Sequence, residues 1–254
     1  METTLSVRSD LDQADPARRD RSGPTPQHGG FLAATPGFAA LDDELRADLE
    51  RACACRRYRP HEQVFGRDEA ASDVYFVVSG RVRIVNYSMS GREVAFDEAT
   101  PGCYFGETAV LDGEPRSAGA VVVAESVLAA MPGRVFIDAI LTHPPLALAV
   151  MQRLSGVIRA ADQRIMDLST LSAYHRVEAE LLRQAKLHRV DITVARIQPI
   201  PLHGEIASRV GTTRESVARV LNDLARRGMV RRTRDALIVH DLERLERMVE
   251  SVRG

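Results

Sequence analysis

Apolar residues recur along the chain with several different periods. From Gly37 to Cys55, Phe38, Leu41, Leu45 and Leu49 fall at helical spacing, which predicts a short amphipathic helix. From about Tyr58 to Met131 the pattern breaks into short apolar runs, among them Val74 to Val78, Val82 to Val85, Val94 to Phe96 and Val121 to Val123. In Arg81-Val82-Arg83-Ile84 polar and apolar positions alternate strictly, as a strand with one buried face requires. Gly80, Gly91, Gly102 and Gly113 stand beside or between these runs at intervals of 11 residues, where turns need permissive dihedrals. The segment predicts an antiparallel β-roll or barrel.

Pro144-Pro145 then opens a long helix. Ala147, Val150, Leu154, Val157, Ala161, Arg164, Leu168 and Leu171 step by three and four, forming a stripe in which Arg164 is the polar member. A heptad-like stripe between two domains predicts a parallel homodimer, although the same helix can also pack on its own barrel. After Ser172 comes a helix to about Leu187, then a compact run from Pro201 to Val239. That run reads as a short helix (Leu202 to Arg209), a turn at Gly211, a longer helix (Thr213 to Arg227) and two short strands around Thr233 to Asp235. This is the order of a winged helix-turn-helix. Residues 1–30 mix Asp, Arg, Pro, Gly and Ser without periodicity and predict a disordered arm. The predicted division is therefore an arm (1–30), a β-roll (31–142), a dimerisation helix (143–172) and a winged helix-turn-helix (173–250), an α+β architecture.

At 254 residues, with 44% hydrophobic and 27% charged residues, the composition is that of a globular protein. No apolar run approaches the roughly 20 residues that span a bilayer, and the N-terminus lacks the apolar core of a secretory signal. A cytoplasmic location follows as the expectation. The net charge of −1 argues against a binder that works by bulk positive charge. Between His203 and Arg234, however, eight arginines face three acids, a local net of +5 placed where a phosphate backbone can use it.

Thr212-Thr213-Arg214-Glu215 fits the capping pattern in which a Thr is followed three residues later by Glu, which predicts Thr212 as the cap of the second helix. Thr213, Arg214 and Glu215 then occupy its tip, with Arg219 one turn beyond Glu215. In a major groove arginine reads guanine O6 and N7, and glutamate accepts from cytosine N4, so the trio points to DNA reading. A capping Glu215 and merely solvated arginines are the bland alternative.

Phe105-Gly106-Glu107-Thr108 through Pro115-Arg116-Ser117-Ala118 is the other chemically informative stretch. Gly106 permits close backbone approach, and amide hydrogens of the following turn can hold an anion. Arg116 can clamp a phosphate, Ser117 can donate a hydroxyl, and Glu107 can accept from a ribose hydroxyl. An internal Glu107 to Arg116 salt bridge is the alternative. Three cysteines (Cys53, Cys55, Cys103) predict reduced thiols rather than disulfides, and a redox response through Cys103 stays open. Iron-sulfur sensing commonly needs four cysteines, and the seven histidines show no metal-ligand spacing, so no metal is expected. The absence of a phosphate-loop motif, a Gly-x-Ser-x-Gly elbow or a His-Glu-x-x-His motif argues against an enzyme.

Together the roll, the stripe helix and the winged helix-turn-helix resemble the cyclic-AMP receptor protein and fumarate-nitrate regulator family over about 31 to 245. The run Phe-Gly-Glu to Pro-Arg-Ser-Ala looks like that family's phosphate-binding cassette. The resemblance implies that Phe105, Gly106, Glu107 and Thr108 form the ligand turn, that Glu107 contacts the ribose, and that Arg116 and Ser117 contact the cyclic phosphate of cyclic AMP or cyclic GMP. Arg214, Glu215 and Arg219 match the family's Arg-Glu-x-x-x-Arg, which implies a pseudo-palindromic DNA site with half-sites resembling TGTGA, with RNA polymerase as a further partner. The receptor protein's adenine-contacting Thr-Ser pair falls within Val157 to Asp162, which here holds no hydroxyl. Asp162 is the residue of that window able to meet a base amino group. Cyclic GMP, another signal, a protein active without ligand, and a cyclic-nucleotide-binding subunit acting on an enzyme stay open at this point.

Overall fold

The computed structural model describes residues 30–253, apart from 90 and 92. The arm predicted over 1–30 lies outside the described residues but for Gly30. Two single 3₁₀ turns, Leu32–Ala34 and Phe38–Ala40, lead into α1 (Asp43–Arg51). Asp42 caps α1 by accepting from the Leu45 amide at 2.8 Å.

The roll is built from β1 (Ala54–Tyr58), β2 (Gln63–Phe65), β3 (Asp73–Tyr87), β4 (Glu93–Ala99), β5 (Tyr104–Phe105) and β6 (Gly119–Pro132). Its strands run β1-β6-β3-β4, with β2 on β6 and β5 on β3, and every pairing is antiparallel. The short helix α2 (Glu107–Asp112) is inserted between β5 and β6, and α3 (Gly133–Thr142) follows the sheet.

Gly80 does not make a turn, as its place beside two apolar runs predicts. The two runs form one strand, β3, and Gly80 sits inside it where the register against β6 slips. Its φ of +90° and its closeness to the partner strand explain the glycine. A Cβ there would lie 2.1 Å from the Ser126 hydroxyl oxygen and 2.4 Å from the Glu125 carbonyl oxygen. The bulge re-aims the strand: Val74 and Phe76 pack outward with Phe38, Phe136 and Leu146, whereas Val77 and Val82 fill the inside of the roll with Phe65, Phe105 and Leu128. We expect Gly80→Ala to lower unfolding stability by about 3 kcal/mol, combining left-handed strain with overpacking, as read by urea denaturation.

The long helix α4 (Pro144–Thr170) packs differently from the stripe predicted for it. Leu146 and Val150 are buried in the roll's outer core, Leu154 packs on its edge, and Leu171 is buried in the C-terminal core. Arg164 donates to the carbonyls of Ala95 and Arg209 in the same chain. That stripe therefore faces its own protomer at both ends and at Arg164, while its members Val157, Ala161 and Leu168 stay exposed. A second heptad-spaced row, Leu148, Met151, Ser155, Ile158, Asp162 and Ile165, is left exposed.

The C-terminal unit comprises α5 (Ala173–Leu187), β7 (Ala195–Ile197), α6 (His203–Val210), α7 (Arg214–Arg226), β8 (Val230–Arg232), β9 (Leu237–Val239) and α8 (Leu242–Arg253). The wing strands lie on either side of Thr233 to Asp235, as expected, and β7 joins them in a sheet of order β7-β9-β8. One core, including Val177, Leu181, Ile206, Val217, Leu224 and Leu245, holds these elements together. Among the described residues no single helix is long and apolar enough to cross a membrane.

Candidate ligand cassette and DNA-reading helix

The ligand turn is positioned by β3. Phe105 pairs with Tyr75 across the β3–β5 ladder, and Gly106 then turns the chain at φ +84° so that α2 begins at Glu107. Arg116 returns alongside, its amide donating to the Glu69 carbonyl and its carbonyl accepting from the Asp68 amide, both at 2.8 Å. Its side chain is 3% exposed and lies 4.2 Å over the Phe65 ring. It donates to the Gly106 carbonyl at 2.6 Å and to the Asp73 carbonyl at 2.7 Å. A Cβ at residue 106 would lie 2.6 Å from this guanidinium, a second reason for glycine. Burial pushes the Arg116 pKa down, against the opposing pull of Tyr75, Asp73, Glu69 and Glu107. Its Nε is buried without a hydrogen-bond partner among the described residues, a cationic donor waiting for an acceptor.

Glu107, 5% exposed, does not pair with Arg116. Its carboxylate accepts from Nε of Arg153 on α4 at 3.3 Å, and Arg153 also donates to the Tyr104 carbonyl at 2.6 Å. The alternative of an internal Glu107 to Arg116 bridge is thus replaced by a bridge to the long helix. Sequence reasoning missed Arg153. Thr108 and Ser117 are exposed at the cassette, and the Ser117 carbonyl accepts from the Asn86 side chain at 3.1 Å. Asp162 is not brought to this group. It stands exposed on α4, about 13 Å further along the axis than Arg153 at 1.5 Å per residue.

The helix-turn-helix is set by local signals. Gly211 ends α6 in the left-handed region at φ +65°, and Thr213 starts α7. The cap is Thr213, not Thr212: the extended Thr213 backbone lets its hydroxyl accept from the Ser216 amide at 3.2 Å. Val217, Val220 and Leu224 bury one side of α7, leaving Arg214, Glu215 and Arg219 exposed. The Glu215 carboxyl is held below its ordinary range by hydrogen bonds from its own amide and from Thr213, and by the Arg214 charge. In the free protein that carboxylate therefore leans on the helix start. Gly204 on α6 makes room for the Arg214 guanidinium, since a Cβ there would lie 2.8 Å from its Nε.

Two sets of ion pairs tie β3 and β4 of the roll to α5 and α6. Arg83 of β3 pairs with Glu93 at 3.1 Å and with Glu205 of α6. Glu98 of β4 meets Arg81 at 3.2 Å and Arg209 of α6 at 2.9 Å, and Arg209 lies 3.7 Å from Glu180 of α5. Burial raises the Glu180 pKa, but hydrogen bonds and charge from Arg183, with Arg209 and Gln184, outweigh it and hold the carboxyl ionised. Burial also raises the Cys53 thiol to about 12 and pushes Cys55 upward, so both stay protonated and unreactive at neutral pH.

Residues 55–143 match the cyclic nucleotide-binding domain, and residues 175–248 match the Crp-like helix-turn-helix domain. The chain is 32% identical over 201 residues to the cyclic AMP receptor protein of Thermus thermophilus, covering 79% of this chain and 90% of that protein. The chain belongs to the cyclic-AMP receptor protein and fumarate-nitrate regulator family. It is also 29% identical to the CRP-like cAMP-activated global transcriptional regulator of Mycobacterium tuberculosis, over 72% of this chain and 83% of that one. Among solved structures, FixK2 of Bradyrhizobium japonicum shares the fold at a TM-score of 0.67 and 24% identity, covering 77% of this chain and 96% of that chain. The β-roll, long helix and winged helix-turn-helix are those of a DNA-binding transcription regulator with a cyclic nucleotide-binding domain.

Proposed function

We propose that this regulator acts as a homodimer whose affinity for DNA is set by cyclic AMP or cyclic GMP bound in each roll. The observation that carries the reading is Arg153, which links the Glu107 carboxylate and the Tyr104 carbonyl of the cassette to α4. A ligand that draws Glu107 to a ribose hydroxyl and supplies an anion to the unpaired Nε of Arg116 acts on that link directly. Ser117, exposed beside Arg116, adds a hydroxyl donor. The exposed row through Leu148, Met151, Ile158 and Ile165 is the face along which two copies join in parallel. Two α7 helices are then spaced by one turn of DNA, about 34 Å, over a pseudo-palindrome with TGTGA-like half-sites. Arg214 and Arg219 read guanine there and Glu215 reads cytosine, and the bound dimer presents itself to RNA polymerase.

The switch requires the ligand to prefer the DNA-binding state. Fluorescence anisotropy on a labelled operator, with and without saturating cyclic AMP or cyclic GMP, tests it. We expect one of the two nucleotides to tighten binding at least tenfold. Equal affinity in all three conditions would show that neither nucleotide controls this protein.

A further inference from the structure

The first turn of α5 carries two side chains that reach into the helix-turn-helix. Ser172 caps that turn, its hydroxyl accepting from the His175 amide at 3.3 Å. Arg176 donates to the carbonyls of Leu171 and Val210, both at 2.8 Å, and so joins the start of α5 to the end of α6. Tyr174 takes the other helix. Its hydroxyl donates to Oδ2 of Asp223 on α7 at 2.5 Å, across 49 positions of sequence. Asp223 is held below the ordinary carboxylate range, first by this hydroxyl and then by the charges of Arg226 and Arg227, with partial desolvation opposing. Burial pushes the Tyr174 hydroxyl up, and its bond to Asp223 and the charges of Glu178 and Asp223 push it further, against Arg227. A protonated phenol therefore donates to an ionised carboxylate at neutral pH, the strong, charge-assisted kind of hydrogen bond.

The place of that bond along α7 gives it a role. Val217, Val220 and Leu224, with Leu221 beside them, seat α7 in the core, but apolar contact is non-directional and leaves a helix some freedom to roll about its axis. The Thr213 cap and the space left by Gly204 hold the first turn. Asp223 stands nine residues beyond Arg214, about 14 Å along the axis at 1.5 Å per residue. A directional bond there fixes the far part of the helix. With both parts held, the tilt and roll of the face that carries Arg214, Glu215 and Arg219 are set.

We propose that Tyr174 is a positioning residue for DNA recognition, which aims α7 by its hydrogen bond to Asp223 without touching DNA itself. The proposal rests on α7 being the helix that reads DNA and does not depend on cyclic-nucleotide control. Base contacts have narrow geometry, whereas phosphate contacts tolerate small shifts of long side chains, so a misaimed α7 loses selectivity before it loses affinity for DNA in general. Tyr174→Phe isolates this effect. The ring keeps its packing against the core, and Arg226 at 3.2 Å and Arg227 at 3.6 Å keep Asp223 paired, so no charge is stranded.

Fluorescence anisotropy of the full chain on operator and scrambled duplexes tests this, with Tyr174→Phe, Asp223→Ala, the double variant and Arg214→Ala. Asp223→Ala also frees two arginines and should tighten binding to both duplexes alike, so the quantity compared is selectivity, the ratio of the two affinities. We expect Tyr174→Phe to lose selectivity by about five- to tenfold while binding to the scrambled duplex holds. Asp223→Ala should lose a similar factor, and the double variant no more than either single one, because all three remove the same bond. Unchanged selectivity in Tyr174→Phe, or equal weakening on both duplexes, would show a bond that only stabilises the C-terminal unit and would overturn the proposal. So would losses in the two single variants that multiply in the double. Arg214→Ala separates the two claims. Selectivity kept there overturns the reading of DNA by α7 and the positioning role with it, whereas selectivity lost there but kept in Tyr174→Phe overturns the positioning role alone. Urea denaturation of each variant confirms that folded proteins are compared.

Discussion

Replacing Arg214 with alanine should abolish selective binding to the operator while leaving the fold and the ligand site intact. Arg214 is exposed at the first position of α7, beside Gly204 across the turn, so truncation opens no cavity and breaks no buried pair. The residue is exposed, whereas Val217, Val220 and Leu224, with Leu221 packed beside them, anchor α7 in the core. A bidentate arginine to guanine contact discriminates by about 1–3 kcal/mol, and a dimer uses it twice. The loss in operator affinity should thus lie between about 30-fold and 10⁴-fold at fixed salt. Binding to unrelated DNA should change little, because that rests on the other arginines of α6, α7 and the wing. Electrophoretic or anisotropy titrations on operator and scrambled duplexes at two salt concentrations separate the outcomes. If Arg214 met only a phosphate, both duplexes would weaken alike and the salt slope would fall. Glu215→Gln offers a finer version of the experiment. The Glu215 carboxylate is drawn to the helix start by its own amide and Thr213, so DNA must compete for it. Its replacement should relax the preference at one base pair more than it weakens affinity.

The exposed placement of Arg214, Glu215 and Arg219 at the start of α7 was legible in the chain because every signal that sets it is local. Gly211, the threonine pair and the spacing of Val217, Val220 and Leu224 lie within 14 residues of one another. The single shift, from Thr212 to Thr213 as the cap, arises from that same locality. Both threonines precede the helix, and only the extended backbone at Thr213 aims a hydroxyl at the Ser216 amide. Gly80 shows the opposite case. The glycine is visible, but its reason, the approach of Ser126 and Glu125 on β6, lies some 45 residues away. Arg153 was invisible for the same cause, since Glu107 and the Tyr104 carbonyl are 46 and 49 residues distant. The α4 stripe was legible only in part. Val150 and Leu154 of the predicted row pack on the roll, whereas Val157, Ala161 and Leu168 stay exposed beside a second apolar row, and only packing against the roll decides which positions are consumed at home. The arginine within the predicted row was the overlooked hint: Arg164 finds its partners at Ala95 and Arg209 of its own chain.

Removal of the Arg116 guanidinium should uncouple the roll from cyclic nucleotides. The buried side chain holds the Gly106 and Asp73 carbonyls and stacks on Phe65, yet one donor, Nε, has no partner among the described residues. An incoming phosphate oxygen satisfies that donor and restores the charge balance that burial of an unpaired guanidinium lacks. Hydrogen bonds to a charged partner contribute about 1.5–3 kcal/mol each. Loss of that one bond in Arg116→Gln should weaken cyclic-nucleotide binding by about 10-fold to 10²-fold in calorimetry. Arg116→Lys keeps the charge but not the planar fork, and should recover only part of the affinity. Both variants also loosen the carbonyls that Arg116 now holds, so a fall in melting temperature is expected and is measured alongside. The decisive contrast is with Arg153→Gln, which leaves the phosphate contact in place but cuts the tie from Glu107 to α4. It should bind nucleotide with a modest loss and respond to it poorly on DNA, whereas Arg116→Gln should fail at binding itself. Nucleotide affinity unchanged in Arg116→Gln would mean that this arginine serves only to close the turn at Gly106.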